Sequence, residues 1–315
     1  MFRLSILLTA LIFTACKRDN EPVESTTSEA LANKKAFYCA EGKRVLSERG
    51  FMDDKCDSLL FTSLWAVACE PSFSVQEWED QEFPGKWHRN PQRDCYLNGA
   101  PNGAASSISR DMMLGLWHLL WTKKDGENVR NLVNYGEKNN WVMGEAKDTE
   151  TLISRATLSP QLVVLLKKMD EKLGGSSAST MNLTAADDSA DAIGVNTGFR
   201  AHLDILRILL QGRVNGAITD SEKALLKAQA ERQPNNALFV AAYEKYNGGT
   251  KAHSLLLEEK HFPSDRLPTN HEHHCINYLY SRDEGSEDWI PCTDKPFREH
   301  DGSDFVFAAW VALNL

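Results

Sequence analysis

Several motifs that would reveal a function at once are missing from this chain of 315 residues. There is no G-x-G-x-x-G and no repeated alternation of strand and helix signals, which excludes a doubly wound dinucleotide-binding fold. No C-x-x-C pair occurs, which argues against a zinc–thiolate centre. The cluster His271-Glu272-His273-His274 is not H-E-x-x-H, and adjacent side chains diverge on helix and strand alike, so a solvated turn is expected there and no metal. No basic run is present and the formal net charge is −9, which argues against a nucleic-acid partner. The same lack leaves no polybasic segment to hold the chain to anionic lipid. No fixed-period repeat is found, and no motif calls for a cofactor.

What is present begins at the N-terminus. MFRLSILLTALIFTAC has one basic residue, Arg3, then an uncharged apolar run ending in Phe13-Thr14-Ala15-Cys16. This is the layout of a secretory signal peptide, and it is shorter than the roughly 20 apolar residues a spanning helix needs. The Cys at the cut fits the bacterial lipobox, in which that thiol is acylated and the chain is cleaved before it. Residues 1–15 are therefore expected to be a lipoprotein signal peptide. Their removal takes the charge from −9 to −10, because Arg3 is their only charge. Lys17 follows Cys16, which leaves both the outer membrane and the periplasmic face open as destinations.

The other six cysteines, Cys39, Cys56, Cys69, Cys95, Cys275 and Cys292, suit three disulfides in an exported chain. Pairing of neighbours is expected: Cys39–Cys56, Cys69–Cys95 and Cys275–Cys292. Each would close a loop of about 17 to 26 residues, worth roughly 3 kcal/mol by chain entropy.

Residues 16–33 are polar, and their composition predicts a flexible tether. Residues 34–315 are expected to form a single helical domain, interrupted by a long polar loop near 174–195. Helical signals cover about 34–48, 57–69, 107–123, 126–139, 159–173, 197–212, 219–232, 235–247, 250–260 and 303–314. A small β-hairpin is expected near 140–145 and 151–157. Thr219-Asp220-Ser221 supplies N-cap chemistry, and Gly248-Gly249 a stop. Helices 57–69, 107–123 and 303–314 are apolar nearly all round and must be covered on several sides. By contrast, Arg200, Asp204, Arg207 and Gln211 form a stripe suited to ion pairing in water. The fold expected is all-α, either an α/α barrel with inner and outer rings or a large helical bundle.

Chemistry is sought first on helix 107–123. At about 100° per residue, Ser107, Asp111, Gly115, His118 and Thr122 share one narrow stripe. Burying a carboxylate and an imidazole there without partners would cost several kcal/mol. The stripe must meet water, a ligand or matched polar groups. A cavity wall with Asp111 as acid/base beside His118 is one reading. The other has Asp111 serving the helix dipole and His118 as a satisfied core histidine. His300-Asp301-Gly302-Ser303-Asp304 reads as helix-capping residues or as part of the same cavity. Two loops interleave aromatics with polar groups: Trp78 and then Phe83-Pro84-Gly85-Lys86-Trp87-His88-Arg89-Asn90 in one, Arg282-Asp283-Glu284 and then Asp288-Trp289 in the other. Their tryptophans suit sugar faces, and they equally suit plugs for the ends of the core.

Ser109-Arg110-Asp111-Met112-Met113-Leu114-Gly115-Leu116 and His300 to Trp310 resemble inner-helix starts of the six-hairpin, or α/α-toroid, carbohydrate-active proteins. The resemblance implies a cleft within a ring of helices, and glycan hydrolysis or elimination. The chain is thus expected to be an envelope-anchored glycoside hydrolase or polysaccharide lyase, held to the bilayer by acylated Cys16. Asp111 and Asp304 would be its carboxylate pair, assisted by His118 or His300, with Arg110, Trp87, Arg89, Arg282 and Trp289 binding polysaccharide or peptidoglycan. The alternative is a non-catalytic lipoprotein that binds glycan or serves as a scaffold.

Overall fold

A computed structural model describes residues 23–52, 56–95, 108–147, 153–177, 199–259, 262–267 and 301–314. Ten α-helices lie among them: α1 (Val23–Arg49), α2 (Ser58–Cys69), α3 (Arg110–Lys123), α4 (Gly126–Lys138), α5 (Pro160–Lys172), α6 (Phe199–Asn215), α7 (Asp220–Arg232), α8 (Ala237–Asn247), α9 (Lys251–Leu257) and α10 (Ser303–Leu313). An antiparallel hairpin of β1 (Val142–Lys147) and β2 (Ile153–Thr157) separates α4 from α5. The fold is all-α with one small hairpin.

Local chemistry sets the helix ends. Asp125, Ser159 and Asn236 each accept a backbone N–H from the first turn of α4, α5 and α8. Thr219 and Glu222 form a capping box on α7. Lys124 adopts a left-handed conformation and closes α3.

α2, α3, α6, α8 and α10 touch one another in a closed cycle, and the other five helices pack outside it. This is why α2 and α3 lack a polar face. Every residue from Ser58 to Ala68 is buried, as is every residue from Asp111 to Trp121. α2 and α3 approach closely at Gly115, where a Cβ would come within 2.9 Å of the Leu60 carbonyl oxygen. Apolar residues from all ten helices join one contiguous core.

Three expectations need correction. Residues 23–33 are helical, not a tether, because Leu31 anchors this turn of α1 with no exposed surface. The described disulfides are Cys39–Cys69 and Cys56–Cys95, with Cα separations of 5.5 and 5.3 Å. α1 and α2 form a hairpin that brings mid-α1 to the end of α2, where the Lys35 ammonium also donates to the Ala68 carbonyl at 2.5 Å. The 89–95 segment folds back over the start of α2, the Leu59 N–H donating to the Arg89 carbonyl at 3.2 Å, and carries Cys95 to Cys56. Finally, the α6 stripe does not face water throughout. α7 covers Arg207 and Gln211, and both donate to the buried Glu222 carboxylate, at 2.9 and 3.1 Å. Cys16, Cys275, Cys292, His271 and His273 lie outside the described residues, as does the 178–198 part of the polar loop.

Candidate functional site

The α3 stripe is sealed at His118, which has 0% exposure. Its Nδ1 accepts from the Arg213 guanidinium at 2.9 Å, which leaves Nε2–H to donate to the Leu206 carbonyl at 3.0 Å. Phe307 of α10 meets the ring edge-on at 5.3 Å. Burial first, then the Arg213 charge, pushes the His118 pKa down to about 3, so the ring is neutral. The Thr122 hydroxyl donates to the His118 carbonyl and accepts from Arg213 at 2.5 Å. Asp111 is 7% exposed; it accepts from the Ser109 hydroxyl and from the Met112 N–H, an orphan donor of its own helix start. Asp111, His118 and Thr122 of the stripe thus meet protein groups, and Ser107 lies outside the described residues.

The other predicted residues scatter. Arg110 is exposed on the first turn of α3. Trp87 is 2% exposed and bridges to Glu79 in the core. Arg89 is 9% exposed and clamps the start of α2, its guanidinium donating to the Cys56 carbonyl at 3.2 Å and to Asp57 at 3.4 Å. Neither offers a surface to a sugar. Asp301, beside the predicted cluster, accepts from the Ser303 N–H and pairs with Arg49 at 2.8 Å. His300, Arg282 and Trp289 lie outside the described residues, as does the side chain of Asp304.

A cavity of about 370 Å³ lies elsewhere, between the loop after α2 and the first turns of α4. Gln76, Glu77, Glu79, Asp80, Gln81, Pro84, Glu127, Asn128 and Asn131 line it. A 3₁₀ turn (Gln76–Trp78) leads into a tight hairpin, in which His88 N–H donates to the Trp78 carbonyl and Asp80 N–H to the Lys86 carbonyl. Trp78 and Trp87 root the hairpin in the core. Its tip presses on α4 at Gly85, whose φ is +87° and where a Cβ would fall 2.1 Å from the Asn131 carbonyl oxygen. Only glycine fits there.

The two adjacent carboxyls of this wall sit in opposed environments. Burial pushes the Glu79 pKa up, against hydrogen bonds from the Gly85 N–H (2.6 Å) and the Gln76 amide, while Asp125 and Glu127 push the same way. Burial also works on Asp80, yet His88, the N–H groups of Glu82 and Phe83, and the Lys86 charge together hold it at about 2. His88 donates to Asp80 at 3.0 Å and is itself lowered, first by burial, then by Arg93 and Lys86 against Asp80. Phe83, beside Pro84, is 43% exposed with the Lys86 ammonium 5.3 Å from its ring centre. Among the described residues, no group of three or more His, Cys, Asp or Glu is arranged to hold a metal ion.

One wall of this cavity belongs to the loop from Trp78 to Asn90 that its interleaved aromatics single out, although Trp87 and Arg89 are buried and Phe83 and Pro84 are the members at the surface; the other wall, from α4, carries no such signal. Compared with protein-family models, with curated proteins and with solved structures, the chain matches none.

Proposed function

We propose that this chain is an exported lipoprotein, tethered through acylated Cys16, that binds a hydroxyl-rich envelope ligand in the loop cavity. Polysaccharide and peptidoglycan strands are the ligand class. The cavity lining carries the reading. Four carboxylates and four amides supply acceptors and donors of the kind sugar hydroxyls pair with, and Pro84 is the one apolar member. Phe83 beside it supplies an exposed aromatic face for the apolar side of a sugar ring. Two disulfides support export, because such bonds persist in oxidising compartments. Among the described residues no helix is long and apolar enough to cross a membrane.

Binding is favoured over turnover. Glycoside cleavage needs one carboxyl to release a proton and a second to activate water or attack. Asp111 turns its Oδ1 to the Ser109 hydroxyl and the Met112 N–H at its own helix start, and Asp80 is held by His88, Lys86 and Arg93.

The test is titration of the purified full chain, in detergent, with isolated envelope polysaccharide and peptidoglycan. Phe83→Ala and Glu127→Gln are each expected to weaken binding about tenfold, near 1.4 kcal/mol, with unchanged melting temperature. Absence of binding by the natural chain, or full binding by the double variant, overturns the reading. New reducing ends in the mixture would replace it with a hydrolase.

A further inference from the structure

We infer that Glu79 is the latch of the loop cavity: ionised, it fixes the lining amides of Gln76 and Asn128 for the ligand, and one proton releases them. The inference rests on the ligand reading above and assigns that site a control by pH.

Glu79 is 8% exposed, and both of its carboxylate oxygens meet donors. Oε1 accepts the Gly85 N–H at 2.6 Å, and Oε2 accepts from the Gln76 amide. The row continues to α4. The Gln76 Oε1 accepts from the Asn128 amide at 2.9 Å, and Asn128 spends its other N–H on Asp125, also at 2.9 Å. A carboxylate thus stands at each end of the row, and the two amides between them are held in one orientation. The Asn128 bond clasps the loop to α4 one turn before Asn131, against which Gly85 is pressed.

A proton on Glu79 breaks this order on either oxygen. On Oε1 it faces the Gly85 N–H, donor against donor. On Oε2 it requires Gln76 to turn its own oxygen inward. The Gln76 amide nitrogen would then face that of Asn128, which Asp125 keeps from turning. Either way the cavity wall loses a hydrogen bond. The surrounding charge favours uptake of that proton. Lys86, His88 and Arg93 of the same hairpin converge on Asp80, at 3.6, 3.0 and 3.8 Å, and Arg93 reaches Glu79 only at its backbone carbonyl. No cation pairs with the Glu79 carboxylate among the described residues, while Glu77 and Asp80 line the same cavity. Burial raises the Glu79 pKa above its ordinary 4.5 against the Gly85 and Gln76 bonds, and Asp125 and Glu127 from the α4 side add to the rise. Ligand affinity is therefore full well above that value and falls as pH drops through it.

The experiment titrates the full chain, in detergent, with isolated envelope polysaccharide and peptidoglycan at pH 7 and at pH 4.5, with folding checked at both by near-ultraviolet circular dichroism. The natural chain is expected to bind about threefold or more weakly at the lower pH, within the roughly tenfold per unit that one proton allows. Glu79→Gln, which puts a neutral amide in place of the carboxylate, is expected to bind that weakly already at pH 7 and to change less with pH. In the isotope-labelled chain without ligand, the side-chain amide NMR signals of Gln76 and Asn128 should shift together between the two pH values, and stay fixed in Glu79→Gln. Equal affinity of the natural chain at both pH values, or amide signals that do not move, overturns the latch and leaves the ligand reading intact. Absence of binding at pH 7 overturns the ligand reading and the latch with it.

Discussion

Acid should destabilise this protein through His118 as soon as pH falls below 6.5. The ring is enclosed against Arg213, Leu206 and Phe307, and its pKa falls from 6.5 to about 3, burial contributing most and Arg213 next. Below pH 6.5 the unfolded chain takes up a proton at this residue while the folded chain refuses it. Stability therefore holds above pH 6.5 and declines by about 1.4 kcal/mol per unit as pH falls. The decline reaches about 2 kcal/mol at pH 5 and about 5 kcal/mol near pH 3. Asp80 acts lower, its contribution being lost only as pH drops through the ordinary 3.8 towards 2, while Glu79, raised chiefly by burial, opposes His118 because the folded chain takes up its proton first. His88, also lowered chiefly by burial, adds in the same direction as His118. Urea unfolding at pH 7 and pH 5 with the disulfides intact measures the difference. His118→Leu should be less stable at pH 7 by about 1–3 kcal/mol, because Arg213 loses an acceptor in a buried site. Its pH slope should nevertheless be shallower than that of the natural chain. Equal slopes for the two, or no loss between pH 7 and pH 5, would refute the reasoning.

Gly85→Ala should destabilise the chain by about 2 kcal/mol or more, because the left-handed backbone and the Asn131 carbonyl both reject a Cβ; ligand titration should show the cavity impaired as well. Removing the Cys56–Cys95 bridge with paired serine substitutions should lower unfolding free energy by about 4 kcal/mol, given its separation of 39 residues. Denaturant midpoints for natural and bridge-free chains test this. Asp111→Asn should cost only about 0.3–1 kcal/mol at the start of α3 and leave glycan titration unchanged. A loss of binding with an intact melting temperature would return Asp111 to the functional site.

Helix positions were legible because their signals are local. Thr219 and Glu222, or Asn236 with Gly248, act within one turn of the chain, so the observed bounds of α7 and α8 lie within two residues of expectation. All-round apolarity in α2, α3 and α10 likewise announced inner helices before any contact was known. The disulfide pairing was not legible, since it depends on the hairpin of α1 with α2 and on the fold-back of the 89–95 segment. The partner of the α6 stripe was hidden for the same reason. Arg207 and Gln211 look solvated in one dimension, and only the packing of α7 delivers Glu222 to them. Only one wall of the cavity was legible, in the aromatic loop from Trp78 to Asn90, because the other comes from α4, beyond all of α3 in sequence.

The sealed stripe has a physical reason tied to helix direction. Where α3, α6, α8 and α10 end together, their last carbonyls lack intrahelical partners and their dipoles place partial negative charge in one region. A cation answers this better than a neutral group. Arg213 sits there, largely enclosed and with no carboxylate partner among the described residues, and burial lowers its pKa only to about 10, so it stays charged. Lys245 meets the end of α10 in the same way. His118 and Thr122 fall four residues apart on α3 because the guanidinium needs acceptors at that spacing along one helix face. A polar stripe in an apolar helix therefore marks, in this fold, the seat of a structural cation. Ligand chemistry is left to the surface loop that Gly85 presses onto α4.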